Sequence, residues 1–169
     1  MRLETERLII REFKEEDLDE LAPILADPDV MEFSSSGPLS RDEAQTYLQQ
    51  RILDHYMEHG YGFWAIVSKK TKKIIGLAGP LRQRVDDEEC IEIGYRIASS
   101  EWGKGFASEA VQAIRDYVFS YFNLDKVIAI IEPRNIRSVR VAEKLGFKLL
   151  KMTSFHGFNV GIYQLTSSV

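Results

Sequence analysis

The stretch SSEWGKGFASEA, residues 99 to 110, places Gly103, Lys104 and Gly105 directly before a run of small residues that opens a helical pattern. The first turn of a helix carries unpaired N–H groups and the positive end of the helix dipole, so anions bind there readily. Gly103 and Gly105 lack a Cβ and let the backbone come close to a ligand. The chemistry suggested is a cradle for a phosphate or pyrophosphate, although a plain tight turn with a helix cap fits the stretch alone equally well. Two familiar nucleotide loops are excluded by spacing. Ser108 stands where the third glycine of G-x-G-x-x-G belongs, and Lys104 lies between the glycines, whereas the Walker loop puts its lysine after them.

A second candidate stands just upstream, in CIEIGYRIA, residues 90 to 98. In a strand Ile91, Ile93, Tyr95 and Ile97 share one face, while Cys90, Glu92, Gly94 and Arg96 share the other. A carboxylate in an otherwise apolar strand is costly to bury unless it is paired or solvated in a cleft. Gly94 beside it leaves room for a substrate, so Glu92 is either a general base in a cleft or one half of a salt bridge to Arg96 or a neighbouring strand. Cys90, the single cysteine, allows no intrachain disulfide and reads as a buried structural thiol, with an acyl-carrying nucleophile as the alternative.

These residues need elements to position them. RLIIREF (7–13) reads as a first strand, and KEEDLDELAPILAD (14–27) has helical spacing that Pro23 should leave short or kinked. SRDEAQTYLQQRILDHYMEHG (40–60) opens with a Ser40 to Glu43 capping box and closes at Gly60, with Ala44, Leu48, Ile52 and Tyr56 on one stripe. YGFWAIVSK and KIIGLAGPL form a hairpin across KKTKK, and CIEIGYRIA is the next strand. The helix after the glycines carries Ala107, Ala110, Val111, Ile114, Val118 and Tyr121 on one stripe. KVIAIIE is a buried strand, NIRSVRVAEKLGF a helix capped by Asn135 and Gly146, and KLLKMTS and NVGIYQLT are two closing strands.

The 169 residues suit one domain without disulfides or a structural metal. No group of His, Cys, Asp and Glu has metal-ligand spacing, and no apolar run approaches the roughly 20 residues of a membrane span. The start MRLETERLII has neither the apolar core nor the cleavage site of a signal peptide, which makes the cytoplasm the expected compartment. With 22 basic and 26 acidic residues the net charge is -4, which argues against a nucleic-acid or anionic-membrane partner and suits a cationic substrate better.

IGYRIASSEWGKGFASEA followed by NIRSVRVAEKLGFK resembles the cofactor-binding core of the GNAT superfamily of N-acetyltransferases, where a Q/R-x-x-G-x-G/A loop holds the pyrophosphate of acetyl-CoA. LETERLIIREF, DPDVMEF, GFWAIV and IIGLAG are similar to segments of its RimJ/RimL-like, ribosomal-protein-alanine N-acetyltransferase branch, so the resemblance covers nearly the whole chain. It implies an α/β (α+β) GNAT-type acyl-CoA N-acyltransferase fold over a single domain, 1–169, with a mixed, mostly antiparallel sheet of about seven strands flanked by about four helices. It further implies direct acetyl transfer from acetyl-CoA to a primary amine, either a protein N-terminal α-amine or a small-molecule amine. No metal takes part, and the protein is a monomer or homodimer.

By the same resemblance Trp102, Gly103, Lys104, Gly105, Phe106, Ala107 and Ser108 hold the pyrophosphate. Arg96, Ile97 and Ala98 lie beside the pantetheine arm, and Asn135 and Ser138 lie near the sulfur. Glu92 is the expected base, and Ser138 the group that stabilises the leaving thiolate by a hydrogen bond. Phe33, Phe63, Trp64 and His156 are acceptor-site candidates, with a core role as the alternative for the aromatics. Two departures stand out. Ser100 replaces the Gln or Arg of the loop pattern, leaving the grip to backbone N–H groups, and Ala142 stands where many members carry a tyrosine acid. These departures motivate the alternative of a non-catalytic acyl-CoA-binding regulatory module of the same fold.

Overall fold

The computed structural model describes residues 1–168. Its eight strands, β1 (Arg2–Glu4), β2 (Leu8–Arg11), β3 (Trp64–Ser68), β4 (Ile74–Val85), β5 (Glu88–Ile97), β6 (Lys126–Ile131), β7 (Lys148–Phe155) and β8 (Phe158–Thr166), form one sheet in the order β1-β2-β3-β4-β5-β6-β8-β7. All neighbours are antiparallel except β5 and β6. The expected mixed α/β sheet is present, with one strand more than the pattern suggested. β1 is only three residues long, too short to show an alternation.

Pro23 sits inside α1 (Leu18–Ala26), which stays short, as a missing N–H and a ring clash require. The second helix begins as α2 (Arg41–Tyr47) with the Ser40 and Glu43 capping box in place, widens through a π-helical segment over Leu48–Leu53, and finishes as α3 (Asp54–His59) before Gly60. The stripe explains the widening. Ala44, Leu48, Ile52 and Tyr56 recur every four residues, which overshoots an α-helical turn of 3.6 at each step, and a π turn absorbs the excess. Ala44 and Ile52 are consequently fully buried. The remaining helices are α4 (Phe106–Phe122) and α5 (Ile136–Lys144).

The sheet is covered on both faces. Leu8, Ile10, Trp64, Ile66, Ile93 and Ile97 pack against Ala110, Val111, Ile114 and Val118 of α4 and Ala142 of α5. Phe13, Phe63, Ala65 and Leu77 pack against α1 and the second helix on the other face. The alternation in β5 is as the sequence indicated, with Ile93 and Ile97 buried toward α4 while Glu92, Gly94 and Arg96 face the opposite side. The parallel pairing of β5 with β6 has a single register, Glu92 opposite Ile128. Beyond it the two strands part, and residues 93–97 of β5 keep one free edge.

Candidate active site

The fork between β5 and β6 opens a cleft of about 650 Å³ that runs through the sheet from one helical layer to the other. Glu92, at the point of the fork, lines it together with Gly94, Tyr95, Arg96, Asn135 and Ser138. Gln83 Nε2 donates to Glu92 Oε2 at 2.8 Å, and the backbone N–H of Ile130 also reaches the carboxylate. Burial pushes the Glu92 carboxyl above its ordinary value, against the opposing pull of the Gln83 bond, the Arg96 charge and the Ile130 N–H. A carboxylate whose proton affinity is raised is better matched to taking a proton from an amine than an ordinary one. Arg96 forms no ion pair with it. The guanidinium donates to Tyr47 Oη at 3.1 Å and lies over the Phe63 ring, so among the described residues Glu92 has no ion pair and feels Arg96 only as a nearby charge.

The glycine loop stands at the free edge of β5. Gly103 and Gly105 both have positive φ, +77° and +81°, and a Cβ on Gly103 would meet no protein atom within 4 Å, so the space in front of it is open. The first backbone bond of α4 runs from Glu109 N–H to the Gly105 carbonyl. The amides of Gly103, Lys104, Gly105, Phe106, Ala107 and Ser108 therefore donate to no acceptor among the described residues. A row of free N–H groups at a helix start, reached over glycine, fits a diphosphate. Trp102 and Lys104 act in the loop itself. The Trp102 Nε1–H donates to the Ile97 carbonyl at 2.9 Å under the Arg137 guanidinium, and the Lys104 ammonium pairs with Glu101 at 2.9 Å.

Three features of the site were not visible along the chain. Arg7 ties the loop down from the far end of the sheet: its Nη1 donates to the Lys104 carbonyl at 2.8 Å, its Nε to Glu109 at 2.7 Å, and the guanidinium covers the Phe106 ring. Glu109 collects a second bond from the Arg7 amide and a third from Thr5 Oγ1. The Tyr95 hydroxyl donates to Ser138 Oγ at 3.0 Å. Glu132, directly after β6, lines the cleft with one oxygen on Arg134 and Oε2 buried without a partner. Its only signal in the sequence was a carboxylate closing an apolar strand.

The other expected residues separate into two groups. Phe33, Phe63 and His156 line the cleft, Phe33 beneath Arg134 and His156 in the β7–β8 turn. Trp64 does not. It is 1 % exposed in the core between the sheet and α4, edge-on to Tyr117, because the strand alternation that points Phe63 at the cleft points its neighbour away. Asn135 caps α5, accepting from Ser138 N–H at 3.3 Å.

A through-sheet fork, a free strand edge and an amide cradle at the head of a long helix together define an acyl-CoA-type transferase. The chain belongs to the GNAT acetyltransferase family: residues 7–148 match the acetyltransferase (GNAT) domain. It is 36 % identical over 147 residues to the uncharacterized N-acetyltransferase p20 of Bacillus licheniformis, covering 86 % of this chain and 82 % of that one. It is 27 % identical to the ribosomal protein uS5-alanine N-acetyltransferase of Escherichia coli, covering 88 % and 78 %. Among solved structures, a GNAT-family acetyltransferase from Bacillus anthracis superposes with a TM-score of 0.82 at 25 % identity, covering 98 % of each chain. RimL, a ribosomal L7/L12 α-N-protein acetyltransferase solved with coenzyme A, shares the fold at 0.79 and 20 % identity, again over 98 % of each. The protein is an acetyltransferase.

Proposed function

We propose that this chain transfers the acetyl group of acetyl-CoA directly to a primary amine, either a protein N-terminal α-amine or a small-molecule amine. The observation that carries the reading is the fork, which lets a base on one face of the sheet and a hydroxyl on the other line a single cleft. The amides of residues 103–108 would hold the pyrophosphate. The free edge of β5 beyond the fork would lie along the pantetheine arm at Arg96, Ile97 and Ala98, with the Ala98 N–H held by the Ile75 carbonyl and the Ile97 carbonyl by Trp102 Nε1–H. Acetyl-CoA supplies an activated acyl group and a thiolate leaving group.

Glu92 takes the proton of the attacking amine, either directly or through water. Phe63 and Leu81 pack against Gly94, and the acceptor would reach Glu92 through the part of the cleft lined by Phe33, Tyr47 and Phe63 on the α1 side. Ser138 offers a hydrogen bond at the departing sulfur from the α5 side. An N-terminal amine, with a pKa near 8, asks less of the base than an alkylammonium near 10. The cleft is lined by Glu32, Glu43, Glu92 and Glu132 and by Arg51, Arg96 and Arg134, so its charges alone select no acceptor class. The test is release of free thiol from acetyl-CoA by the purified protein across peptides with free N-termini, polyamines and aminoglycosides. Turnover with at least one class is expected; tight CoA binding with no turnover on any would turn the reading to a non-catalytic module.

A further inference from the structure

Ser138 is the third residue of α5, and its N–H is held by Asn135 Oδ1. Its Oγ accepts the Tyr95 hydroxyl proton at 3.0 Å and donates to no acceptor among the described residues. A serine hydroxyl has one proton and two lone pairs. With one lone pair taken by Tyr95, the serine proton is left directed elsewhere, and the space in front of it is the cleft. Tyr95 itself comes from β5 on the α4 and α5 side of the sheet, three residues along from Glu92, whose side chain leaves by the opposite face. One turn further along α5, Ala142 carries no hydroxyl and is buried, so Ser138, bonded to Tyr95 of β5, is the hydroxyl that α5 presents to the cleft.

Resting on the acetyl-CoA reading above, we propose that Tyr95 is a positioning residue that fixes the Ser138 hydroxyl as a hydrogen-bond donor to the sulfur of the leaving thiolate. The amine nitrogen forms its bond to the acetyl carbon and gives its proton to Glu92. The carbon–sulfur bond breaks with its electron pair on sulfur, and the thiolate is held by the Ser138 O–H and takes a proton from solvent as it departs. Tyr95 keeps its own proton throughout. Burial pushes its phenol above the ordinary value, against the pull of the Ser138 contact, which suits a permanent donor and not a proton source.

The experiment compares coenzyme A with desulfo-coenzyme A, in which hydrogen replaces the thiol, binding to the wild type, Y95F, S138A and the double variant. Affinities are measured calorimetrically from about pH 7 to about pH 10, across the ordinary thiol value of about 8.5. The wild type is expected to favour coenzyme A increasingly as the thiol ionises. Y95F and S138A should each reduce that preference about tenfold, the equivalent of one unit in the bound thiol's pKa. The double variant should lose no more than S138A alone, and desulfo-coenzyme A should bind all four proteins equally. A wild-type preference retained in Y95F, or losses that add in the double variant, would overturn the proposal. Failure of both ligands to bind the wild type would overturn the cofactor reading itself, which separates the two failures.

Discussion

At the residue scale the molecule holds a carboxylate where its own stability opposes it. Between the ordinary value of 4.5 and the raised folded value, native Glu92 keeps a proton that the unfolded chain has lost. Stability therefore falls as pH rises through that window and stays lower above it, while the ionised form that the proposed base role requires becomes available over the same range. E92Q keeps the shape and an oxygen for Ile130 N–H but removes the charge. It is expected to raise Tm at neutral and alkaline pH, by about 2–4 °C for each kcal/mol recovered, and to flatten the pH dependence of Tm. Turnover should drop by about 10²–10⁴, with coenzyme A affinity unchanged. In the wild type kcat/KM should rise with pH to a plateau as Glu92 ionises. A variant with unchanged turnover and an unchanged stability profile would remove Glu92 from the mechanism.

At the scale of elements, the glycine loop proposed to hold the cofactor combines two glycine conformations with a clamp from the opposite end of the chain. G103A and G105A each force a side chain into left-handed backbone, at about 1–2 kcal/mol; the Gly103 methyl would enter the open space proposed for the diphosphate, and the Gly105 methyl would press on the Arg7 guanidinium that holds the loop. The expected weakening of coenzyme A is about tenfold or more by calorimetry. G60A is the control, with φ +77° and open space at the end of α3, so it should lower Tm without changing coenzyme A affinity. The clamp gives a separate prediction. Burial pushes the Glu109 carboxyl upward, but Thr5, the Arg7 amide and the Arg7 guanidinium together hold it below its ordinary value of 4.5. Its stabilisation is present above that value and is lost as the pH falls through the lowered one. E109A strands those donors and should cost about 1–3 kcal/mol by denaturant unfolding, while loosening coenzyme A at the same time. The loop was legible in the sequence because glycines, helix start and strand lie within twenty consecutive residues, 90–109. Arg7 and Tyr95 were not, since their partners lie 102 and 43 residues away and neither residue type marks a site by itself. Trp64 shows the limit of composition, for an aromatic next to a cleft residue in a strand belongs to the other face.

At the scale of the whole molecule, the sheet is two sub-sheets joined at one register, with a separate apolar layer on each face and a third small cluster of Val85, Ile128, Val160 and Ile162 beyond the fork. No single strand could place the Glu92 carboxyl and the Ser138 hydroxyl on opposite sides of one cleft. The parting of β5 from β6 does so, and in the proposed reaction it would set the order of chemistry as well as its geometry. Acceptor and acyl donor would come from opposite layers and meet in the gap, so the proposed transfer needs both present and no protein group between them. Cys90 is poorly placed to intervene. Its thiol donates toward the Gln83 carbonyl at 3.7 Å, and burial, together with the Glu92 charge, pushes its pKa up and disfavours the thiolate. Initial rates varied in both substrates should therefore give intersecting and not parallel double-reciprocal lines. The intact mass after incubation with acetyl-CoA alone should show no acetylated protein, and C90A should keep wild-type turnover. Parallel lines together with an acetyl group on Cys90 would mean that the acyl group rests on the protein before transfer, and would displace the fork from the centre of the mechanism.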